Sequence, residues 1–511
     1  MSRDPLPSPP PEAVAASGRL AARVADEVAV AGGWIGFDRY MSRVLYEPAL
    51  GYYSGGATKL GAAGDFVTAP MISPLFGQCV AAQCLQWLQA APPVQVSPSG
   101  QVSPSGQVAQ SGQVAPSGQV ASAAAPVMPS ARAVPSLRAG PATQAAPSVP
   151  LPRIVTEFGA GGGELAAQLL AAFDAAGLTD LRYDIVELSA ELAQRQRDRI
   201  AREVPQALPR VRWLHELPAV LSGVVIGNEL LDAMPVRLFV LRGGQVFERG
   251  VSVEPGPIDD VESGEDREGR EGRESGAGRE GRDSGESGES GSSGESVQTA
   301  DHGSAVRFGW HDRPADPAFA GRVAAALADA RRQPAELPDG YLSELNEQAE
   351  GWVATIASRL ERGVVLLFDY GFPAGEYYHP QREAGTVMCH YRHRAHADPF
   401  RWPGLQDITA HVQFDAIARA ASSASCDLLG YTTQAHFLLN CGLIDALSAA
   451  RGDDVLASAR DAAAVQRLVS EAEMGELVKV IAFGRGVDDD AIGFARGDRR
   501  HRLAVDQQGA R

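Results

Sequence analysis

Residues 156–165 read TEFGAGGGEL and overlap an apolar stretch, residues 154–158, that predicts a buried strand. Three glycines, Gly159, Gly161 and Gly163, allow a sharp turn out of that strand and a close approach of the backbone to a bound molecule. The apolar spacing after the turn is typical of a helix. The stretch therefore predicts the first strand, turn and helix of an α/β sheet, with either a ligand or only a tight strand–helix turn at the glycines.

The rest of the chain alternates strand-like and helix-like stretches. Further strands are predicted at residues 183–188, 211–214, 223–227, 363–370 and 477–483. Because these apolar strands alternate with helices, their order predicts a parallel sheet with right-handed crossovers and a ligand at its carboxyl edge. A long helix is expected over 342–362. Stretches at 245–253 and 305–310 predict a hairpin whose tip is replaced by an insert.

Two low-complexity segments are predicted to be disordered. The first, residues 91–150, contains the repeat QVSPSG, QVSPSG, QVAQSG, QVAPSG and then Ala- and Pro-rich sequence, which favours a flexible linker over a β-helix. The second, residues 256–303, is rich in Gly, Ser, Glu and Arg. Residues 259–301 hold fourteen acids and five arginines, so this part carries −9 of the net charge of −17 and leaves −8 on the rest.

Composition argues against several classes of protein. A chain without a basic face is not expected to bind nucleic acid. No apolar run reaches the roughly 18 residues that cross a bilayer, so membrane insertion is not expected. The five cysteines form no CxxC pair, so neither a metal site nor a disulfide framework is expected. A reducing compartment therefore fits best. We expect the cytoplasm or, in a eukaryote, the mitochondrial matrix, although the N-terminus has no clear transit peptide.

The spacing of the glycines discriminates between two kinds of nucleotide cofactor. A dinucleotide site has the pattern G-x-G-x-x-G, which from Gly159 would require glycine at position 164, where this chain has Glu164. The observed pattern is E-x-G-x-G-x-G from Glu157, and it resembles motif I of class I methyltransferases. Glu187, which ends the second predicted strand, is placed to accept hydrogen bonds from both hydroxyls of a ribose. An S-adenosyl-L-methionine site is expected, with a NAD-dependent oxidoreductase as the less favoured alternative.

Six longer motifs resemble the MidA family of methyltransferases and occur in the order of that family. They are GFDRYMSRVLYEPALGYYS (36–54), GDFVTAPMISPLFG (64–77), GNELLDAMPVRLF (227–239), FDYGFPAGEYY (368–378), GLQDITAHVQF (404–414) and YTTQAHFLLNCG (431–442). The resemblance runs from about residue 34 to residue 483 and is interrupted only by the two inserts. It implies the α/β, Rossmann-like sheet of class I methyltransferases, with an added N-terminal region and substrate-side insertions.

The resemblance also implies an activity. The mitochondrial members of the family are arginine methyltransferases that act on a core subunit during assembly of respiratory complex I. We therefore expect S-adenosylmethionine-dependent methylation of arginine on a protein substrate, a complex I subunit or its bacterial equivalent. One departure concerns the chemistry: the family pattern has Glu after TAP, whereas this chain has Met71. This departure leaves open a non-catalytic assembly or scaffold protein that retains the fold.

Residues expected to contact the cofactor lie on the glycine turn and at the neighbouring strand ends. They are Glu157, Gly159, Ala160, Gly161, Gly163, Glu187, Leu188 and Asn228. Catalysis on arginine calls for an acidic pocket, because a guanidinium with a pKa above about 12 is held as a cation. Glu229 and Asp232 would share a face of a helix after the fourth strand, unless Asn228 and Glu229 only cap that helix. Asp65 is the third candidate, although its Gly-Asp turn is also common without function.

Five further side chains have two interpretations each. Asp369 and Tyr370 either line the pocket or cap the end of the most apolar strand. His411 is either a proton acceptor or, more commonly for a lone histidine, a satisfied core residue. Tyr52 and Tyr53 either pack over the cofactor or belong to the core.

The motifs and inserts divide the chain into seven parts. We expect an N-terminal tail and helix (1–33), a motif region that packs on the core (34–90), the repeat linker (91–150), the first part of the methyltransferase core (151–255), the acidic insert (256–303), the second part of the core with a substrate-side insertion (304–485) and a flexible tail (486–511). The apolar C-terminal region could support a homodimer.

Overall fold

The computed structural model describes residues 6–55, 67–89, 151–254, 306–450 and 454–504. The predicted disordered segments and the candidate Asp65 lie outside the described residues. Among the helices of these stretches, none combines the length and the apolar character that crossing a bilayer needs.

Strands and helices alternate through most of these stretches. The strands are β1 (Ile35–Gly36), β2 (Ile154–Phe158), β3 (Arg182–Val186), β4 (Val211–Leu214), β5 (Leu221–Asn228), β6 (Arg237–Arg242), β7 (Gln245–Val253), β8 (Phe308–Pro314), β9 (Leu342–Leu345), β10 (Leu360–Phe372), β11 (Met388–Tyr391), β12 (Arg394–His396), β13 (Asp407–Thr409), β14 (Val412–Gln413), β15 (Asp427–Thr433) and β16 (Val478–Arg485). The α-helices are α1 (Pro11–Val30), α2 (Phe37–Tyr46), α3 (Ala69–Ile72), α4 (Pro74–Gln89), α5 (Glu164–Ala175), α6 (Ala190–Glu203), α7 (Pro317–Asp329), α8 (Glu347–Arg359), α9 (Ala374–Tyr377), α10 (Phe414–Ser423), α11 (Gln434–Asn440), α12 (Leu443–Ala450), α13 (Val455–Val469) and α14 (Met474–Leu477).

The largest sheet has the strand order β15–β16–β10–β5–β2–β3–β4, with β14 beside the end of β10. Strands β10, β5, β2, β3 and β4 are parallel, as predicted. Strand β16 is antiparallel to both of its neighbours, so the prediction of a wholly parallel sheet is wrong at this edge. An apolar strand pattern reports burial on both faces and not strand direction. The chain reverses its strand order between β2 and β5, and such a reversal opens a crevice at the carboxyl ends of the strands.

Helices cover both faces of this sheet. On one face, α4, α5 and α11 bury Trp87, Phe173 and Phe437 against the strands. On the other face, α8 and α10 bury Val353 and Ile417. Because the central strands are buried on both sides, their sequences are mostly apolar, which is why the apolar pattern could predict them.

The helix predicted over 342–362 is shorter than expected and has a strand at each end. Residues 342–345 form β9, which pairs with β6. The Asn346 side chain caps α8 by accepting a hydrogen bond from the Ala349 N–H across 2.9 Å. The helix ends at Arg359, because Leu360 begins β10 by pairing with Leu221. The helical spacing of apolar residues did not reveal that the two ends pair with other strands.

A second sheet has the order β1–β7–β6–β9, with β8 paired to β7. Strands β7 and β8 are antiparallel, which confirms the predicted hairpin around the acidic insert. Helices α1 and α2 pack on this sheet, where Leu20 and Tyr40 share a core with Val251 and Phe308. A small third sheet has the order β12–β11–β13. The N-terminal region is thus joined to the core through the second sheet.

The first part of the predicted C-terminal tail is packed rather than free. Phe494 is 5 % exposed and belongs to the main core. The Arg499 N–H donates to the Tyr431 carbonyl across 2.6 Å, and the Asn440 side chain donates to the Gly493 carbonyl across 2.9 Å. The expectation of a flexible tail is therefore wrong for residues 486–504, which are held by a buried aromatic ring and by hydrogen bonds to distant elements that a hydrophobic pattern does not show.

Candidate functional site

The chain leaves β2 through a turn in which three glycines have a positive φ, 67° at Gly159, 52° at Gly161 and 84° at Gly163. Only glycine adopts this conformation without a steric cost. A Cβ on Gly159 would also lie 3.0 Å from Cδ1 of Leu230, and one on Gly163 would lie 3.1 Å from the Cα of Gln196. The turn therefore depends on its glycines, and it places the start of α5 at the carboxyl edge of the sheet.

A cleft lies at the carboxyl ends of β2, β3 and β5 and contains about 1230 Å³ of space that protein atoms do not occupy. One wall combines the glycine turn with the strand ends and includes Glu157, Gly159, Ala160, Gly161, Glu187, Asn228 and Glu229. The N-terminal region supplies another wall with Tyr46, Tyr53, Thr68, Pro70 and Met71. Residues far apart in the sequence thus enclose one space at the predicted edge of the sheet.

Two of the residues predicted to contact the cofactor do not line this cleft. Gly163 is the N-cap of α5 and shapes the turn from outside the cleft. The Leu188 side chain is 79 % exposed. Strand β3 ends at Val186, and the Ser189 hydroxyl already caps α6 by accepting from the Leu192 N–H across 3.3 Å. The strand end therefore gives the cleft the Glu187 carboxylate and not the Leu188 side chain.

Glu157 and Glu187 both line the cleft, but they have different partners. Glu157 accepts a hydrogen bond from the Tyr183 hydroxyl across 2.8 Å, and burial raises its pKa to about 7. Glu187 accepts from the Ser189 N–H across 2.8 Å and from the Gln196 side-chain amide across 3.0 Å. Burial also raises the pKa of Glu187. Each carboxylate oxygen can accept more than one hydrogen bond, so Glu187 retains capacity to accept another.

The predicted helix after the fourth strand does not form, since residues 229–234 make a turn. Neither a shared helical face for Glu229 and Asp232 nor the helix-capping role for Asn228 and Glu229 therefore applies. Glu229 has a φ of 50°, a strained conformation for a residue other than glycine. Its N–H donates to the Phe368 carbonyl across 2.8 Å, and its Oε1 accepts from the Ala69 N–H across 3.3 Å. These two contacts hold Glu229 in the wall of the cleft.

Asp369 supports this turn from the end of the neighbouring strand. Its Oδ2 accepts from the N–H groups of Leu230 and Leu231, across 3.1 and 2.7 Å, and its Oδ1 accepts from the Tyr370 N–H across 2.9 Å. The carboxylate is 1 % exposed and does not line the cleft. Of its two interpretations, the structure supports capping of the sheet end.

Asp407 is a further buried carboxylate beside this turn, and no sequence pattern singles it out. Its Oδ1 accepts a hydrogen bond from the Tyr53 hydroxyl across 2.8 Å. The Tyr46 ring stacks on that of Tyr53 with 5.4 Å between their centroids, and its hydroxyl donates to the Ala233 carbonyl across 2.9 Å. The motif GLQDITAHVQF contained this acid, but only the fold brings it to Tyr53.

The carboxyl groups of this region influence one another. Burial raises the pKa of Glu229 to about 8 and that of Asp369 to about 7. Burial, followed by the charges of Asp369 and Glu229, raises the pKa of Asp232 well above its ordinary value. Among the described residues, no lysine or arginine forms an ion pair with Glu229, Asp232 or Asp369. We call Glu229, Asp232, Asp369 and Asp407 the acidic group, an arrangement that favours a cationic guest.

A family model for S-adenosyl-L-methionine-dependent methyltransferases matches residues 144–432, more than half of the chain. The protein belongs to the MidA family. Its sheet is accordingly the Rossmann-like sheet of class I methyltransferases, and its cofactor is S-adenosyl-L-methionine. The alternative of a NAD-dependent oxidoreductase finds no support in this assignment.

Two crystal structures from Burkholderia thailandensis are similar over almost the whole MidA-family chain. One, bound to S-adenosyl-homocysteine, is 41 % identical with a TM-score of 0.73, and it covers 98 % of this chain and 100 % of that chain. The other, a native structure, is 40 % identical with a TM-score of 0.70 and the same coverage.

Curated relatives are more distant. The mitochondrial protein arginine methyltransferase NDUFAF7 of Danio rerio is 22 % identical over 440 residues, 81 % of this chain and 74 % of that protein. The corresponding protein of Xenopus laevis is 42 % identical over 62 residues, 12 % of this chain and 14 % of that protein.

The cleft has the polar groups that a nucleoside cofactor of a MidA-family protein requires. The Glu187 carboxylate can accept further hydrogen bonds. The Oδ1 atom of Asn228 is buried without a hydrogen-bond partner and lies in the cleft wall. Residues 159–162 of the glycine turn line the same wall. These features fit S-adenosyl-L-methionine.

The remaining sequence candidates lie around the cleft or behind it. Met71 lines the cleft, so the side chain that follows the TAP sequence faces the site as a thioether. Tyr52 is 1 % exposed and packs in the N-terminal core. His411 lies behind Tyr370 and Phe372, with 6.4 and 5.2 Å between the ring centroids, and does not line the cleft. Burial lowers the pKa of His411 to about 4, which makes the imidazole neutral near pH 7.

Proposed function

We propose that this MidA-family methyltransferase modifies an arginine side chain of another protein. The observation that carries the proposal is the acidic group, whose member Glu229 faces the cleft beside the glycine turn. Glu229, Asp232 and Asp369 have no cationic partner among the described residues. A guanidinium is the protein side chain whose charge and planar donors best match such a set of carboxylates.

In this proposal the cofactor lies along the glycine turn, with Glu187 accepting hydrogen bonds from the ribose and Asn228 contributing its free Oδ1 atom. When bound, S-adenosyl-L-methionine supplies a sulfonium methyl group that is already activated for transfer. The chain then has to align the acceptor nitrogen with that methyl group. Alignment of this kind can contribute roughly 7–11 kcal/mol to catalysis.

The acceptor arginine would enter past Tyr46 and Tyr53, whose stacked rings form part of the wall opposite the glycine turn. Aromatic faces attract a guanidinium and exclude water around it. The side chain would then meet Glu229, the carboxylate of the acidic group that lines the cleft. The rings and the carboxylate together would orient one nitrogen of the planar cation.

Glu229 is also the group placed to receive the proton that the guanidinium loses as the new C–N bond forms. Burial raises the pKa of Glu229 to about 8. A bound guanidinium would lower that pKa and ionise the carboxylate. The methylated guanidinium stays a cation, while the sulfonium becomes a neutral thioether, so the positive charge near Glu229 falls by one as the carboxylate takes up the proton. Asp232 and Asp369 act through their negative field and, for Asp369, through the turn that holds Glu229.

The distant relative named as a mitochondrial protein arginine methyltransferase supports this choice of acceptor. The motif resemblance makes a core subunit of respiratory complex I, or its bacterial equivalent, the first partner to test. We place the reaction in a reducing compartment, the cytoplasm or the mitochondrial matrix, because all five cysteines are free and buried.

The proposal is tested by methyl transfer from labelled S-adenosyl-L-methionine into a cell extract that contains the intact respiratory subunit, followed by mass spectrometry of the labelled residue. Methylarginine is expected with wild type. Glu229→Gln should lose at least about 100-fold of the rate while its affinity for S-adenosylhomocysteine changes less than about threefold. Gly161→Val should lose both transfer and cofactor binding.

A second candidate is a scaffold protein that retains the fold and the cofactor, favoured by Met71 at the position where the family pattern has an acid. Absence of label in every protein, with cofactor binding intact, would establish that function instead. Label on a residue other than arginine would contradict the arginine proposal and leave the methyltransferase activity in place.

A further inference from the structure

Gln196 is a fully buried polar side chain on α6, placed between the glycine turn and Glu187. Its Nε2 donates one hydrogen bond to the Gly161 carbonyl and one to Oε2 of Glu187, each across 3.0 Å. Its Oε1 accepts a hydrogen bond from Nε1 of Trp213 across 3.0 Å. One amide thus connects the turn, the carboxylate at the end of β3 and the strand β4.

The orientation of this amide follows from its partners. The indole of Trp213 can only donate a hydrogen bond, so it requires the oxygen of the amide. The Gly161 carbonyl and the Glu187 carboxylate can only accept, so they require both hydrogens of the Nε2 group. A reversed amide would lose all three bonds.

The glycine turn makes this close approach possible. A Cβ on Gly163 would lie 3.1 Å from the Cα of Gln196, so α6 lies directly against the turn. On the next helical turn, Nε of Arg199 donates to the Gly162 carbonyl across 2.9 Å. Gln196 differs from Arg199 because it also binds Glu187.

We propose that Gln196 is a positioning residue for the cofactor, which sets the distance and angle between the glycine turn and the Glu187 carboxylate. The inference rests on the proposed contact between Glu187 and the ribose. Glu187 is held from two sides, by the Ser189 N–H on Oε1 and by Gln196 on Oε2. Because both oxygens are fixed, the carboxylate already has the orientation in which its remaining lone pairs can accept from the nucleoside. Less conformational entropy of the Glu187 side chain is therefore lost on binding.

Titration calorimetry with S-adenosylhomocysteine tests the inference on the full chain. Gln196→Leu should weaken binding by about tenfold to a hundredfold, the loss expected when a hydrogen bond to a carboxylate is removed. Gln194→Leu is the matched control, since Gln194 lies on the same helix, is exposed and, within the part of the chain that the structure describes, has a side-chain hydrogen bond only to Asp198. This control should bind within about twofold of wild type.

Two further measurements separate positioning from a merely structural role. The 2′-deoxy analogue of S-adenosylhomocysteine lacks a hydroxyl that Glu187 would bind, so the deficit of Gln196→Leu should be smaller with this analogue. An ionised glutamate in Gln196→Glu cannot donate to Gly161 or Glu187, whereas the protonated acid can donate once. The affinity of Gln196→Glu should therefore rise relative to that of Gln196→Leu as the pH falls from 8 to 6.

Glu187→Gln distinguishes failure of the inference from failure of the site assignment. If Glu187→Gln binds S-adenosylhomocysteine as wild type does, the assignment of the ribose site is wrong. If Glu187→Gln loses affinity while Gln196→Leu stays within twofold of wild type, the positioning role of Gln196 is overturned. If Gln196→Leu does not fold, the inference is tested by the pH dependence of Gln196→Glu alone. An affinity of Gln196→Glu for S-adenosylhomocysteine that does not change with pH would overturn the inference.

Discussion

The hydroxyl of Tyr53 donates a hydrogen bond to Oδ1 of Asp407 across 2.8 Å and joins two parts of the chain that are 354 residues apart. Tyr53 follows α2 in the N-terminal region, and Asp407 opens β13. Asp407 is 3 % exposed, so the bond lies where water is largely excluded. The N-terminal region is therefore a wall of the site and not an accessory to the core.

Removal of the Tyr53 hydroxyl should weaken both the fold and the reaction. Tyr53→Phe keeps the ring in the cleft wall but takes a donor from the buried Asp407 carboxyl. We expect the free energy of unfolding to fall by about 1–3 kcal/mol, measured by denaturant titration, and methyl transfer to slow. Tyr46→Phe is the control, because its hydroxyl donates to the neutral Ala233 carbonyl and should matter less. Equal losses in the two variants would show that the Asp407 charge plays no part.

The pH dependence of stability should report the partly buried Glu229 carboxyl. Its pKa is raised from 4.5 to about 8 by burial, so the folded chain binds this proton more tightly than the unfolded chain does. The stability contribution of Glu229 therefore falls as the pH rises from about 4.5 through about 8. Glu229→Gln has no carboxyl that titrates at this position. Its free energy of unfolding relative to that of wild type should therefore rise by roughly 2–4 kcal/mol between pH 5 and pH 9.

The difference in stability is measured by thermal unfolding of both proteins across this pH range. Glu12→Gln serves as a control at an exposed glutamate and should follow the wild-type curve. A difference between Glu229→Gln and wild type that stays constant with pH would show that Glu229 does not titrate in this range.

The glycine turn offers a test of cofactor binding that is independent of overall stability. Gly161→Val forces a β-branched residue to a φ of 52° beside the cleft, and S-adenosylhomocysteine should bind at least about tenfold more weakly. Gly177→Val is matched in strain, with a φ of 75°, but lies at the far end of α5 in open space. Both variants should lose about 1–2 kcal/mol of stability. Calorimetry showing the same affinity in both would place the cofactor elsewhere.

Met71→Glu should strengthen binding of an arginine substrate. The residue lines the cleft on α3, the helix whose Ala69 N–H contacts Glu229. An added carboxylate there would contribute about 1 kcal/mol to holding a partly exposed cation, so KM for an arginine-containing protein should fall about threefold to tenfold. Met71→Gln, which is similar in size and uncharged, is the comparison. If the two variants have the same KM, the charge at this position does not act on the substrate.

Much of the core could be predicted because its signals are local. Strand β2, the turn at Gly159, Gly161 and Gly163, and the parallel strands are encoded in short apolar runs and in glycines whose positive φ other residues adopt only with strain. The position of Glu187 at the end of a strand followed from the same runs. These features were correct to within a few residues.

Other features depended on contacts between distant segments. The direction of β16, the pairing of β9 with β6 and the packing of residues 486–504 come from hydrogen bonds to partners far along the chain. The turn after β5 was mistaken for a helix because its conformation depends on the Asp369 carboxylate, which comes from another strand. The periodicity of hydrophobic residues does not indicate which distant residues become hydrogen-bond partners.

By itself the sequence determined an α/β sheet and the edge at which its glycine turn lies, because buried strands and positive-φ glycines are properties of a few consecutive residues. Only the tertiary structure decided which acids surround Glu229, how Tyr53 meets Asp407 and how Gln196 joins the turn to Glu187. These are relationships between side chains on separate elements, and their distances exist only once the chain has closed around its core.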